Sequence, residues 1–124
     1  MLNNKDAVAN LAVKDLNVAK KFYEGTLGLK PIDAEGDEVI VYQSGSSKLN
    51  VYRSKEAGTN KATAVTWTVS DVDDEVRQLK AKGVKFEHYD MPEMKREGDV
   101  HIGGDIKVAW FKDPDGNILN IINH

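Results

Sequence analysis

An internal duplication constrains this chain more than any other feature. Ala12-Val13-Lys14-Asp15-Leu16 leads into a short helical pattern that ends at Leu27-Gly28-Leu29-Lys30. Thr68-Val69-Ser70-Asp71-Val72 leads into a similar pattern that ends at Lys82-Gly83-Val84-Lys85-Phe86. Lys48-Leu49-Asn50-Val51-Tyr52 then returns as Ile118-Leu119-Asn120-Ile121-Ile122. The offset is 56 from Asp15 to Asp71, 55 from Gly28 to Gly83 and 70 from Asn50 to Asn120, so the second copy carries a longer insertion. A chain that repeats one supersecondary unit builds that unit twice.

Each copy has a readable order of elements. Residues 8–13 are apolar and suited to a strand, and Asp15 or Asn17 can cap the helix that follows. Val18, Ala19, Phe22, Tyr23 and Thr26 recur at the spacing of one helical face, and Gly28 stops it. Strands are expected at 29–34, 38–43 and 48–52, with turns at 35–37 and 44–47. The second copy repeats this: a strand at 62–69, a helix capped by Asp71 with Val72, Val76 and Leu79 buried, a strand at 85–89, and a hairpin of 106–112 and 117–122. Residues 91–104 hold a proline, glycines and mixed charges, and read as an irregular loop, a flap. Asp113-Pro114-Asp115-Gly116 suits the last hairpin's tight turn, because proline fixes φ and glycine accepts a positive one.

The expected fold is therefore α+β: two tandem βαβββ modules, 7–54 and 62–123, within one domain spanning 1–124. A helix covers one face of each sheet, and the other must curl round something or pack on a partner. Two curled sheets would make an open half-barrel cleft.

Composition excludes several classes of function. A net charge of −3 without a basic block argues against nucleic acid. With no cysteine there is no disulfide, thiolate nucleophile or cysteine zinc site. No run of about 18 apolar residues is present, so no membrane span is expected, and without an apolar leader the expected location is the cytoplasm.

Three stretches carry a resemblance to a known family. They are Val13-Lys14-Asp15-Leu16 with Phe22-Tyr23 and Leu27-Gly28-Leu29, then Val69-Ser70-Asp71-Val72 with Lys82-Gly83-Val84, and above all Phe111-Lys112-Asp113-Pro114-Asp115-Gly116-Asn117-Ile118-Leu119. The chain resembles the vicinal oxygen chelate superfamily, which holds glyoxalase I, extradiol dioxygenases, fosfomycin-resistance enzymes and bleomycin-binding proteins. The resemblance runs over essentially the whole chain. It implies the glyoxalase/bleomycin resistance fold. One such scaffold serves several chemistries and plain binding.

In metal-using members, four strand positions supply ligands, usually His, Glu or Gln. The resemblance places them at Val8, Asn50, Ala64 and Asn120. Val and Ala have no lone pair, and a neutral amide oxygen is a weak donor to a transition metal. The set implies a member without the metal ligands, hence no cofactor and no Lewis acid for enediolate or oxygen chemistry. The two Asn amides would instead hold a polar ligand, or bond to each other or to water.

Trp110 stands where ring-cleaving members place a catalytic tyrosine. Its indole would be a stacking wall for a flat ligand, or part of the core. Trp67 is out of phase with Ala64 and should face the helix. Tyr52 is in phase with Asn50, and Tyr42 is a further neighbour. His88, Asp90, Glu93, Glu97, Asp99, His101 and Asp105 lack metal-ligand spacing. Within the flap, His101 could move a proton at neutral pH, or simply be exposed.

The expected function is metal-independent binding of a small organic ligand, aromatic or cationic, by Trp110, Asn50, Asn120, Tyr52, Val8 and Ala64, with drug or metabolite sequestration as its purpose. The alternatives are a glyoxalase-like lyase or isomerase, or a dioxygenase-related enzyme, with a non-standard active site using His101 or a loop carboxylate as the catalytic acid–base group or a metal site placed elsewhere, or a partner-binding module. By analogy with related members, copies should pair as a homodimer.

Overall fold

Strand pairing repeats as the sequence does. The computed structural model describes residues 1–124, the side chain of Glu35 excepted. The chain divides into two compact units, Met1–Ala57 and Gly58–His124. In the first, β1 (Ala9–Val13), α1 (Leu16–Lys20), a π-helical turn (Lys21–Thr26), β2 (Lys30–Glu35), β3 (Val39–Ser44) and β4 (Ser47–Arg53) follow one another. The sheet order is β1-β4-β3-β2, and β1 pairs parallel with β4. In the second, β5 (Thr63–Thr68) and α2 (Val72–Ala81) precede β6 (Phe86–Glu87), β7 (Lys95–Glu97), β8 (Val100–Gly103), β9 (Ile106–Lys112) and β10 (Ile118–Ile122). The sheet order is β5-β10-β9-β8-β7, and β6 pairs with β9. Here β5 runs parallel to β10, as β1 does to β4. Asn50 lies between Asn10 and Val41, and Asn120 between Thr66 and Trp110, so the duplicated positions hold equivalent places in the two ladders.

The first unit's core lies between its sheet and its helix. Leu11, Val13, Ile40, Tyr42, Leu49 and Val51 alternate inward with Ala19 and Tyr23, all buried. Asp15 caps the helix by accepting from the backbone N–H of Asn17 (2.8 Å) and Val18 (3.4 Å). The expected helical face is only partly right: Ala19 and Tyr23 are buried, but Val18 is 44% exposed. After five residues of α-helix the chain widens to a π turn, with Leu27 N–H bonding to the Phe22 carbonyl (2.9 Å). That change of pitch breaks the assumed 3.6-residue period. Tyr42 was proposed as a cleft neighbour. It points instead to the helix and donates to Glu24 Oε2 at 2.8 Å. Burial, then the Glu24 carboxylate, holds its phenol above the ordinary tyrosine range.

In the second unit Val72 and Val76 of α2 pack inward, while Leu79 is half-buried. Asp71 caps this helix, accepting from Asp74 N–H at 3.1 Å. Below it Trp67 stacks on Phe111 (centroids 6.4 Å apart) and Phe86 meets the same ring edge-on (5.7 Å). Trp67 thus faces the helix side, as its phase requires.

Two expectations for this unit are corrected. The 85–89 strand is only Phe86–Glu87. The 91–104 segment is no irregular loop: it contains β7 and β8, a charged outer strand and a short inner one. Charge and glycine content hid the alternation of Val100-His101-Ile102-Gly103, which is too short for a periodic signal. No described helix is long and apolar enough to cross a membrane.

The β9–β10 turn is built round Asp113. Its buried carboxylate accepts from the backbone N–H of Asp115 (3.0 Å) and Asn117 (2.9 Å) and from Asn117 Nδ2 (2.8 Å). Gly116 takes φ 90°, as the motif requires. Gly58, at φ 75°, lies against the carbonyl oxygen of Asp115, where any Cβ would collide with it. Asp113→Ala should therefore remove about 2–4 kcal/mol of stability, since it strands buried donors. Urea unfolding at neutral pH checks this; a loss within the error of extrapolation would mean that proline and glycine alone hold the turn.

Candidate functional site

Pleating decides which side chains can meet a ligand. In the second unit Lys107, Ala109 and Phe111 of β9 share the helix face, since Lys107 Nζ reaches Asp73 of α2 at 2.7 Å. Val108 and Trp110 therefore point the other way. So do their cross-strand partners Asn120 and Ile122 on β10, His101 on β8 and Glu87 on β6. Three residues singled out from sequence thus share one sheet face: Trp110, Asn120 and His101.

The contacts among them are specific. The Trp110 ring is half-exposed, and its Nε1 donates to Thr63 Oγ1 at 3.1 Å. His101 meets Trp110 edge-to-face, centroids 4.9 Å apart, and Tyr89 does the same at 5.3 Å. His101 is not an exposed flap residue. It is 1% exposed, and its Nε2 lies 3.0 Å from the Tyr89 backbone N and 3.1 Å from the Tyr89 carbonyl oxygen. With the ring proton on Nδ1 it accepts from that N–H, and with the proton on Nε2 it donates to that carbonyl. Tyr89 was missed by sequence reasoning. A signal existed: it is two residues beyond Glu87, which pairs with Trp110, so strand alternation carries it to the same face.

This cluster leaves polar groups unpaired. Tyr89 OH, His101 Nδ1 and Asn120 Oδ1 are buried without a hydrogen-bond partner. Each such group costs about 1–3 kcal/mol, and native structures keep few of them. Three on or beside one aromatic ring mark a surface organised for something other than stability. Beside it lies a cavity of about 460 Å³, lined by Tyr89, Met91, Met94, Arg96 and His101 among others.

The first unit carries its own set. Val8 precedes β1 and is 39% exposed; Tyr52 on β4 is 36% exposed, and Asn50 is half-buried. Asn50 and Tyr52 alternate with the buried Leu49 and Val51, so they lie on the face away from α1. Asn50 Nδ2 donates to Asn10 Oδ1 at 3.2 Å. Ala64, in the second unit, sits half-buried on β5, where the ladder skips a residue opposite Ile118 and Leu119.

A carboxylate clasp stands at the edge of the second unit. Asp99, between β7 and β8, bonds to Lys80 Nζ of α2 and to His88 Nε2, each at 2.7 Å. These two bonds, that of Lys80 foremost, hold the Asp99 carboxyl below its usual range. A carboxyl held low in the fold stabilises it at every pH above the free value of about 4, and the contribution fades as pH falls through the folded value.

A family model described as Glyoxalase/Bleomycin resistance protein/Dioxygenase superfamily matches residues 6–121. Among solved structures, a bleomycin resistance determinant encoded on the transposon Tn5 superposes with a TM-score of 0.73 at 21% identity, covering 98% of each chain. A lactoylglutathione lyase from Agrobacterium tumefaciens gives 0.70 at 17%, covering 96% of this chain and 92% of that one. A genomically encoded fosfomycin resistance protein from Listeria monocytogenes, complexed with Mn(II), gives 0.70 at 16%, covering 99% and 91%. At these identities the likeness is one of fold.

The positions that would supply metal ligands do not fit a dication. Val8 and Ala64 offer no donor atom, and Asn50 and Asn120 offer neutral amides. Among the described residues no three His, Cys, Asp or Glu gather into a set able to hold a metal ion. Asp99→Asn tests the clasp. The variant should unfold at lower urea than the parent at pH 7, and the gap should close as pH drops below about 4. A gap that stays constant to low pH would mean that Asp99 acts through shape alone.

Proposed function

The chain belongs to the Glyoxalase/Bleomycin resistance protein/Dioxygenase superfamily, and we propose that within it the chain binds a small organic molecule without a divalent metal. The observation that carries this reading is Trp110: a half-exposed indole flanked by buried polar atoms that lack partners. A flat ligand gains the ring's apolar face by stacking. Asn120 and His101, on the same sheet face, supply an amide oxygen and an imidazole nitrogen, which fix orientation. Val8, Asn50 and Tyr52 in the first unit and Ala64 in the second are proposed as further ligand-binding residues. A neutral donor set gives a metal no reason to stay, so recognition is direct and sequestration of a drug or metabolite is its natural use. Overall acidity favours a neutral or cationic ligand. A cytoplasmic homodimer is part of this reading.

A lyase or isomerase, or a dioxygenase-related enzyme with a non-standard site, is the second reading. One observation favours it: His101 is anchored at Nε2 and keeps Nδ1 unpartnered beside Tyr89 and Trp110, as a positioned acid–base group would be. Conversion of a bound ligand that is abolished by His101→Gln would replace sequestration with catalysis.

A thermal-shift screen with aromatic and cationic compounds should find ligands that raise the melting temperature. Trp110→Ala should weaken those ligands about tenfold while the protein stays folded; unchanged affinity removes the stacking role. Elemental analysis of protein purified without chelator should find no stoichiometric zinc, nickel, iron or manganese. A tightly held equivalent of any of them ends the metal-independent reading.

A further inference from the structure

The cavity beside the cluster has a chemistry of its own. Tyr89 and His101 line it, together with Asp90, Met91, Pro92, Met94 and Arg96. Arg96 on β7 lies directly opposite His101 on β8. Cross-strand partners of this kind project from the same face, with Cβ atoms about 5 Å apart. Arg96 and His101 therefore line the same cavity. Arg96 makes no ion pair with a carboxylate among the described residues. Its Nη1 donates to the Gly98 carbonyl at 2.7 Å, which orients the group and leaves other N–H donors unspent.

Two further polar atoms border the same space. Tyr89 OH and His101 Nδ1 are the unpartnered atoms already described, and His101 is 1% exposed. Asp90 apart, the rest of the lining, Met91, Pro92 and Met94, is apolar. Met94 lies over Gly103, where an added Cβ would meet its Cγ at 3.2 Å and its Cε at 3.3 Å. Gly103, two residues on from His101 on the same strand face, thus makes room for a thioether that can swing aside. Asp90 sets a limit on charge, because one carboxylate on the wall opposes a second negative charge on the guest.

We propose that this cavity binds a monocarboxylate with an apolar tail. The carboxylate lies on the Arg96 guanidinium and takes a hydrogen bond from Tyr89 OH once Met94 gives way, with a second from His101 in its Nδ1–H tautomer, and the tail packs along Met91, Pro92 and Met94. The guanidinium fork suits a carboxylate's two oxygens. Tyr89 OH gains the acceptor it lacks in the free fold, and a bound carboxylate selects the Nδ1–H tautomer of His101. The site goes beyond the stacking reading and does not require Trp110.

Calorimetric titration of the full chain with octanoate, octanamide and octylamine tests this. Octanoate should bind, the amide at least about tenfold more weakly, and the amine not at all. Arg96 is exposed, so Arg96→Gln should leave the fold intact and lower octanoate affinity roughly tenfold or more, and Arg96→Lys should recover part of the loss. No octanoate binding at millimolar concentration overturns the proposal. So does equal affinity for acid and amide, or an Arg96→Gln variant that binds octanoate as the parent does.

Discussion

Everything functional in this protein depends on register. Each unit joins its first strand to its last by parallel pairing, β1 to β4 and β5 to β10, and antiparallel neighbours complete each sheet. Side chains alternate with a period of two, so a slip of one residue would exchange the faces. Phe111, Leu119 and Ile121 would leave the core, and Trp110 and Asn120 would turn under α2. Burial of the aromatic group Trp67, Phe111 and Phe86 on one face is therefore what presents Trp110, His101 and Asn120 on the other. The turn round Asp113 fixes where β9 ends and β10 begins, and so holds that register.

The superfamily scaffold and the site chemistry separate cleanly. The scaffold motifs, Asp15 and Asp71 as helix caps and Asp113 with Asn117 in the turn, act on backbone N–H groups and shape the fold. Trp110, Asn120 and His101 lie on the opposite face of the second unit's sheet. Charge is found elsewhere, in ion pairs such as Lys107 with Asp73 and Lys80 with Asp99, which tie strands or turns to α2. This distribution places electrostatic work in holding the second unit together.

Much of this is legible in the sequence. The duplication gave two modules, the caps were named, Trp67 was assigned to the core by phase, and Asn50 and Asn120 were identified as mates. What escaped has physical causes. Val18 lies one step round α1 from the buried Ala19 and stays exposed, because the buried face is narrower than the apolar spacing suggests. β7 and β8 are three and four residues long, below the length at which alternation stands out from noise, so His101 was left in a flap when it is a buried strand residue. Tyr89 was passed over because its strand stops at Glu87, although the same alternation carries one step beyond it.

The charged strand β7 has a bearing on solubility. It is the outermost rung of the second unit's sheet, only three residues long, and Lys95, Arg96 and Glu97 are all exposed. An outer rung offers unpaired backbone groups to any passing extended peptide, the first step of fibril growth. Here such a peptide would find little length to pair with and would have to desolvate three ionised side chains. The same short strand that carries Arg96 therefore also discourages chain-upon-chain aggregation at this border of the sheet.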